Sequence, residues 1–526
     1  MTPHATLYDE VPYPSAIYLQ THPDRLATAA TLFGMRPARV ERCRVLELGC
    51  GDGTNLITMA FGLPESEFVG LDLAQRQIAR GDAIVDRLRL KNIVLHAIDL
   101  LKAPSNLGRF DFIVAHGLYS WVPAAVRDRI LAICSEHLTE NGVAYVSYNT
   151  YPGSHLRDLV RGMMRYHSAH FREPAEQVRQ ARALLKFLAE SEEEPDLYHQ
   201  ILERELERCV KYVDAGFFHD DLSPINHSVY FHEFIAHAAG HGLQYLSEAS
   251  IVGMKEDTYK PRVAEALSEL ASSDIVTREQ YLDFLRCRAL RQTLLCRNQI
   301  ALDHTFSPER IHGLHVAAEI RPVSAEPDVR SRSPELFQGP KGAELESDRP
   351  IVKTSLLLLG IAWPQSVRFP ELLTRVRAHL GYESETTGSD AADDEEELAN
   401  ALLQAHAAGC VEFHSHAPAF VTTVGERPVS SPLARLQLER GNVVSTLRHM
   451  TLRIDDALGR HLLMLLDGTR DRAMLVEDLA ELVTSGGAAI SHEGKPVRDM
   501  EEILRRLADG LEERLVSLAR AAVLIA

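Results

Sequence analysis

Arg44-Val45-Leu46-Glu47-Leu48-Gly49-Cys50-Gly51-Asp52-Gly53-Thr54 joins a short apolar strand to a glycine loop, and a helix over 54–62 follows. Glycines let the backbone turn sharply and approach a ligand with no β-carbon in the way. The loop N–H groups and the positive end of the next helix suit an anionic group. A dinucleotide loop spaces its glycines G-x-G-x-x-G around a pyrophosphate. Here the position of the last glycine is Thr54, and an acid, Glu47, precedes the loop. That acid repels pyrophosphate and suits an amine.

The same alternation extends outward. A strand over 67–73 contains Asp72 near its end, and a helix over 74–90 places Ile78, Ala79, Val85 and Leu88 at roughly helical spacing. A third strand over 92–98 runs into Asp99, and a fourth over 110–115 runs into His116-Gly117. A helix over 123–138 leads to a fifth strand over 142–148. Strands alternating with helices predict an α/β fold, a parallel sheet covered on both faces. An acid after strand two accepts both hydroxyls of a ribose. One after strand three takes an adenine amino group, with Ile98 on the ring. Together with Glu47 they fit S-adenosylmethionine, whose methionyl part is zwitterionic. The expected cofactor pocket is Tyr13, Glu47, Gly49, Cys50, Gly51, Asn55, Asp72, Leu73, Ile98, Asp99, His116 and Gly117. Cys50 reads as a small packed residue rather than a nucleophile.

The rest of the chain is less regular. Helices are expected over 156–170, 174–188 and 196–213, with an acidic break at Glu192-Glu193-Glu194-Pro195. A helix over 227–242 and a strand over 243–248 read as the last helix and strand of the sheet. Residues 256–305 read as helical and Arg-rich, and 322–348 as a linker. The acidic tract 390–397 reads as a solvated loop or helix start. Segments 411–416 and 419–424 read as a two-stranded wing, which puts His414 and His416 on the surface. The expected domains are 1–155 plus 223–255 (core), 156–222 (helical insertion, a lid or dimer contact), 256–335 (helical regulatory region), 336–427 (middle winged-helix-like) and 428–526 (C-terminal winged-helix-like). Thr21-His22-Pro23 reads either as part of a lid or as a helix start.

Fifty-six basic and 74 acidic residues give a net charge of −18, the wrong sign for a sequence-independent nucleic-acid binder. No nucleic-acid partner is expected. Seven scattered cysteines without a C-x-x-C predict a reducing compartment and no metal site. No basic segment followed by an apolar stretch opens the chain, and the longest apolar run falls far short of the ~20 residues that span a bilayer. These features predict a cytoplasmic protein with no integral membrane segment.

Several segments carry a more specific resemblance. Tyr8-Asp9-Glu10-Val11-Pro12-Tyr13-Pro14, Thr21-His22-Pro23-Asp24-Arg25-Leu26, His116-Gly117-Leu118-Tyr119-Ser120-Trp121-Val122-Pro123 and Ser147-Tyr148-Asn149-Thr150-Tyr151-Pro152-Gly153 resemble bacterial protein-lysine methyltransferases of the rickettsial outer-membrane-protein type. The segment 291–297 resembles their methyltransferase regulatory domain, and Leu465-Leu466-Asp467-Gly468-Thr469-Arg470-Asp471-Arg472 their C-terminal winged helix. The resemblance implies a Rossmann-like, seven-stranded class I methyltransferase core with a helical insertion and C-terminal α-rich winged-helix-like domains. It implies methyl transfer to lysine ε-amines of a protein or peptide by in-line displacement, and a possible homodimer. A small-molecule methyltransferase is the alternative. A lysine acceptor must be neutral; with a reference pKa near 10.4 that form is disfavoured by roughly 4 kcal/mol near neutral pH. An aromatic, desolvated channel lowers that penalty. Tyr119, Tyr148, Asn149 and Trp121 are the candidate catalytic residues, the two tyrosines as channel walls.

Overall fold

The computed structural model describes residues 7–191, 196–250, 259–271, 274–382, 389–492 and 495–526. The expected acidic break at 192–195 and the core boundary at 255 lie outside them. The chain divides into two compact units. The first takes the described residues of 7–16, 29–57 and 65–304. The second takes 17–28, 58–64 and 305–526.

The first unit is built on a seven-stranded sheet. In chain order its elements are α1 (Leu7–Glu10), β1 (Arg44–Leu48), β2 (Glu67–Asp72), β3 (Ile93–Ala97), β4 (Phe110–Ala115) and β5 (Leu138–Asn149), with α4 (Gln75–Leu88) after β2 and α5 (Ala124–His137) after β4. α2 (Pro23–Leu32) and α3 (Thr54–Gly62) each have residues in both units. Strands β1 to β5 pair in parallel. Buried on both faces, β4 is apolar but for Asp111, and β1 is apolar but for Arg44 and Glu47. α6 (Ser154–Ser168), α7 (Pro174–Ala189), α8 (Leu197–Lys211) and α9 (Asp214–Asp221) form the insertion, cored by Val160, Met164, Leu185, Leu202 and Phe217.

Chain order resumes with α10 (Phe231–Gly240), β6 (Leu243–Glu248), α11 (Pro261–Ala271), α12 (Ile275–Arg286) and β7 (Leu290–Arg297). The sheet order is β3-β2-β1-β4-β5-β7-β6. Here the structure corrects the sequence reading. Residues 290–297, expected to be helical, form an antiparallel strand between β5 and β6. β6 is therefore the sheet's edge and not its last strand in chain order. The misreading has a physical cause. Leu and Arg are good helix formers, and the buried Arg291 hides the apolar pattern of a two-sided strand. The core expected to end near 255 thus also needs 290–297. Ile130, Leu131 and Cys134 of α5 and Phe231, Phe234 and Ile235 of α10 pack with Leu46, Leu48, Ile113, Ala144 and Val146 of the strands.

The second unit holds β8 (His315–Ala317), β9 (Arg321–Pro322), β10 (Glu335–Gln338), β11 (Glu344–Ser347), α13 (Pro350–Ala362), β12 (Val367–Arg368), α14 (Phe369–Leu380), α15 (Ser389–Ala407) and β13 (Glu412–His414). β8 pairs with both β12 and β13, and β9 with β10. A boundary at 335/336 would cut both ladders, so the break at 304/305 replaces it. The expected wing is corrected too: β13 pairs with β8, and 419–424 forms no strand. His414 is consequently buried, with Nδ1 2.7 Å from Asp24 Oδ2 and Nε2 3.3 Å from Glu412. Thr21-His22-Pro23 starts a helix: α2 begins at Pro23, and His22 Nδ1 accepts from the Asp24 N–H. The acidic tract falls within α15.

The last segment carries α16 (Pro432–Leu438), β14 (Val443–Ser445), β15 (Thr451–Arg453), α17 (Ala457–Leu465), α18 (Arg472–Thr484), β16 (Ser491–His492), β17 (Lys495–Pro496) and α19 (Met500–Arg520). Leu462, Leu475, Leu479, Leu507, Leu511 and Leu515 fill its core. Among the described residues, no helix is long and apolar enough to cross a membrane.

Candidate active site

The ends of β1, β2 and β4 meet where the sheet order reverses, the usual place for a ligand in an open α/β sheet. Gly49, Gly51 and Gly53 have φ of +72°, +58° and +72°, so each needs glycine. The loop is held from below: Gly49 and Cys50 both donate to the carbonyl of Leu71. Asp72 accepts from the Gly51 N–H at 2.8 Å through one oxygen and from the Ala74 N–H through the other. Burial pushes its carboxyl above the usual range. Cys50 is buried, as a packed loop residue.

Glu47 is the telling group. It is 4% exposed, and Asn55 Nδ2 donates to its Oε1 at 2.8 Å. Its Oε2 is buried with no hydrogen-bond partner. Burial pushes the carboxyl up to about 8, against the pull of Asn55 and with help from Asp72 and Asp52. A buried, orphaned carboxylate oxygen is destabilising unless a cation arrives to use it. An ammonium group would be such a cation, so the donor set fits the methionyl end of S-adenosylmethionine.

The remaining expected pocket residues lie along the same edge. Leu73 is largely exposed, and Ile98 and Asp99 are half-buried after β3. Asp99 Oδ1 also accepts from the Leu101 N–H. His116 Nδ1 lies 2.8 Å from the Tyr145 hydroxyl, and burial lowers the imidazole to about 4, which keeps it neutral. The Gly117 N–H donates to Ser147 Oγ.

Two expected acceptor residues sit elsewhere. Tyr148 is 1% exposed, stacked on Phe234 at 4.0 Å with its hydroxyl 3.1 Å from Thr293. Tyr119 is 2% exposed, edge-on to Phe234, with its hydroxyl 2.8 Å from His237 Nδ1. Both rings fill the core under α10 and wall no channel, which corrects the expectation. Asn149 ends β5 and donates to Asn226 Oδ1, and Trp121 is half-buried.

To the segment 8–14 noted in the sequence, the structure adds Ser15, Tyr212, His219 and Asp220, which the sequence did not single out. Residues 8–15 form a strap tied to the cofactor loop and to the insertion. Asp9 Oδ1 accepts from the Arg76 N–H at the start of α4, and Ser15 bonds Asp52 of the loop. Tyr8 stacks on His219 of α9 at 4.3 Å, and His219 Nε2 is 2.6 Å from the carbonyl of Val11. Close packing, then the charges of Asp220 and Asp72, push the Tyr8 phenol up to about 12. The hydroxyls of Tyr13 and Tyr212 both donate to Asp220. The region 214–221 follows the helix expected over 196–213, and its acids form no pattern in the sequence that marks them out.

Gly81, within α4, carried a weak one: a glycine inside a periodic helix needs a packing reason. A β-carbon there would come within 2.4 Å of the Asp52 carbonyl. The helix backbone is thus pressed directly against the cofactor loop. Gly81→Ala should displace the loop, weaken S-adenosylhomocysteine binding at least about tenfold and lower stability by about 1–3 kcal/mol. Calorimetric titration and melting check both.

Comparisons with known proteins bear on this site. Residues 46–144 match the model "Methyltransferase domain", 214–297 "Predicted methyltransferase regulatory domain" and 426–523 "PKMT, C-terminal winged helix domain". An uncharacterised protein of Rickettsia prowazekii is 32% identical over 512 residues, 95% of this chain and 90% of that one. The chain belongs to the rickettsial methyltransferase family that carries this winged helix. A second Rickettsia prowazekii protein is 39% identical over 44% of the chain and 93% of its own length. The family member PKMT2 from Rickettsia typhi, solved in complex with AdoHcy, superimposes with a TM-score of 0.86 at 28% identity, covering 98% of this chain and all of that one. The chain is an S-adenosylmethionine-dependent methyltransferase, with a class I core and a C-terminal winged helix. In this family member the "regulatory domain" match takes in α9, α10, β6, α12 and β7, so it includes two strands of the core sheet.

Proposed function

We propose that the acceptor is a lysine ε-amine of a protein, received at the cluster of Tyr13, Tyr212 and Asp220. That cluster is the observation that carries the reading. It is an acid of the insertion flanked by two phenols, one of them on the strap that also bonds the cofactor loop. The relative named PKMT2 supports it. The cofactor supplies a sulfonium-bound methyl group, an electrophile that needs no protein nucleophile. Asp220 draws the ammonium in, and burial holds its own carboxyl above the usual range. Its two phenol donors and the enclosure of the strap exclude water, which favours the neutral amine. Asp220 takes a proton from the bound ammonium, which frees the nitrogen lone pair; that nitrogen would then bond the methyl carbon as the carbon–sulfur bond breaks, leaving a methylammonium. Asn149 and Trp121 remain proposed acceptor contacts, and the winged helix the proposed docking element for the protein.

Asp220→Asn should lower protein methylation about 100-fold while cofactor affinity stays within about twofold. The wild-type enzyme with labelled cofactor should place label in the macromolecular fraction of a lysate. Label confined to small molecules would overturn the lysine reading in favour of a small-molecule methyltransferase.

We also propose a homodimer through the insertion, where Tyr166, Phe187, Leu197 and Val210 are well exposed apolar residues. Sedimentation reads this directly; a monomer at micromolar concentration would reject it. A cytoplasmic setting is proposed from the free state of all seven cysteines.

A further inference from the structure

On the face of the first unit that carries α5 and α10, three side chains converge. His237 and His241 are four residues apart, so they project from one side of α10 and its C-cap. Asp128 of α5 faces them. Its Oδ1 lies 3.4 Å from His237 Nε2 and 2.9 Å from His241 Nε2. One nitrogen or oxygen from each of the three lies within 4.8 Å of the others.

The orientation of His237 is set from below. Its Nδ1 meets the Tyr119 hydroxyl at 2.8 Å, and Tyr119 is locked edge-on against Phe234 and Tyr148 in the core. A partner on the far ring nitrogen is what a ligating histidine needs: it fixes the tautomer and aims Nε2 outward. The site is also open to solvent, with side-chain exposures of 63% for Asp128, 32% for His237 and 20% for His241. An ion can enter, and water can complete its coordination.

We propose that Asp128, His237 and His241 form a site for a divalent transition-metal ion of the zinc class. Two imidazoles and one carboxylate with an open position suit zinc and its neighbours in the first row, and not magnesium or calcium, which take all-oxygen shells. The ion replaces the direct Asp128–imidazole contacts, with Nε2 of both histidines as nitrogen ligands and the Nδ1–H of His237 donating to Tyr119. Tyr119 belongs to the loop that follows His116-Gly117 of the cofactor edge, so occupancy stiffens that loop.

The test is equilibrium dialysis of the full-length, chelator-treated protein against zinc chloride, with cobalt(II) absorption as a second readout. Wild type should take up one ion more per chain than His237→Ala/His241→Ala. Cobalt should give the visible bands of a low-coordinate nitrogen–oxygen site. Asp128→Ala, at a largely exposed position that carries no packing, should lose affinity about tenfold or more, and Tyr119→Phe about tenfold. Melting in chelator should match wild type for Asp128→Ala. Equal zinc stoichiometry in wild type and the double variant, or Asp128→Ala binding as wild type does, would overturn the proposal.

Discussion

Glu47→Gln should make the empty protein more stable and nearly unable to bind its cofactor. In the folded chain burial pushes the Glu47 carboxyl to about 8 from a reference of 4.5. A carboxyl whose folded pKa is raised favours folding fully below its unfolded pKa, and that advantage is lost as pH rises through the folded pKa. Wild-type stability therefore falls between about pH 4.5 and 8, by a few kcal/mol at most. Glutamine keeps the Asn55 contact and does not titrate, so the gap between variant and wild-type melting temperatures should widen across that window. The binding effect has the opposite sign. A cationic amine needs the ionised carboxylate, and its loss should weaken binding about 100-fold, the scale of a buried charge-assisted hydrogen bond. In wild type, binding below pH 8 should release close to one proton, with affinity rising toward pH 8. Calorimetry in buffers of different ionisation enthalpy reads the proton. A variant that binds normally, or a wild type that releases none, rejects this role for Glu47.

Arg291→Ala should unfold the first unit at ambient temperature or leave it insoluble. Arg291 has no exposed side-chain surface. Its Nε and one Nη grip the two oxygens of Asp283, each at 2.9 Å. The other Nη reaches Glu248 at 2.8 Å, and Glu279 is 3.2 Å away. The guanidinium also lies over the Phe231 ring at 3.8 Å. Three acids from β6 and α12 thus converge on one strand residue. Arg288 and Arg278 add partial neutralisation from the side. Removing the centre leaves buried carboxylates unpaired, about 3–5 kcal/mol, comparable with the whole margin of many domains. Arg291→Lys should fail to rescue, because an ammonium cannot make the two-pronged contact. Adding Asp283→Asn to Arg291→Ala should recover part of the loss by removing one stranded charge. Chemical denaturation followed by tyrosine fluorescence or circular dichroism measures all three; an Arg291→Ala chain as stable as wild type refutes the argument.

The same residue explains what the sequence could and could not disclose. The glycine loop and the acids around it were legible because their pattern is local. Glu47, the glycines and Asp72 lie within single strand–loop–helix steps, and the loop's demand for positive φ can be read from residue type. β7 was illegible because its strand character depends on partners far along the chain. An arginine in a buried strand makes sense only once Glu248, Glu279 and Asp283 surround it. Tyr119 and Tyr148 misled for a related reason: aromatic residues at the end of a strand look alike whether they face a ligand or a helix, and only Phe234 decides. Asp220 was hidden because its contact with Tyr13 joins residues some two hundred positions apart. His414, expected at the surface, is buried by α2 through Asp24.

The placement of β7 has a consequence for synthesis on the ribosome. Among the described residues, the edge of β5 that faces β7, from Ala144 to Asn149, pairs with residues 290–295. At roughly 5–20 residues per second, the intervening stretch takes on the order of ten seconds or more to emerge. Throughout that interval β4 and β5 can dock while the far side of β5 offers bare N–H and C=O groups to any other strand nearby. The insertion and β6 are made first, yet β6 has no place in the sheet until β7 arrives to separate it from β5. The newborn chain therefore passes through a long-lived, half-finished sheet. Its open flank is where pairing with a foreign strand would compete with the native fold.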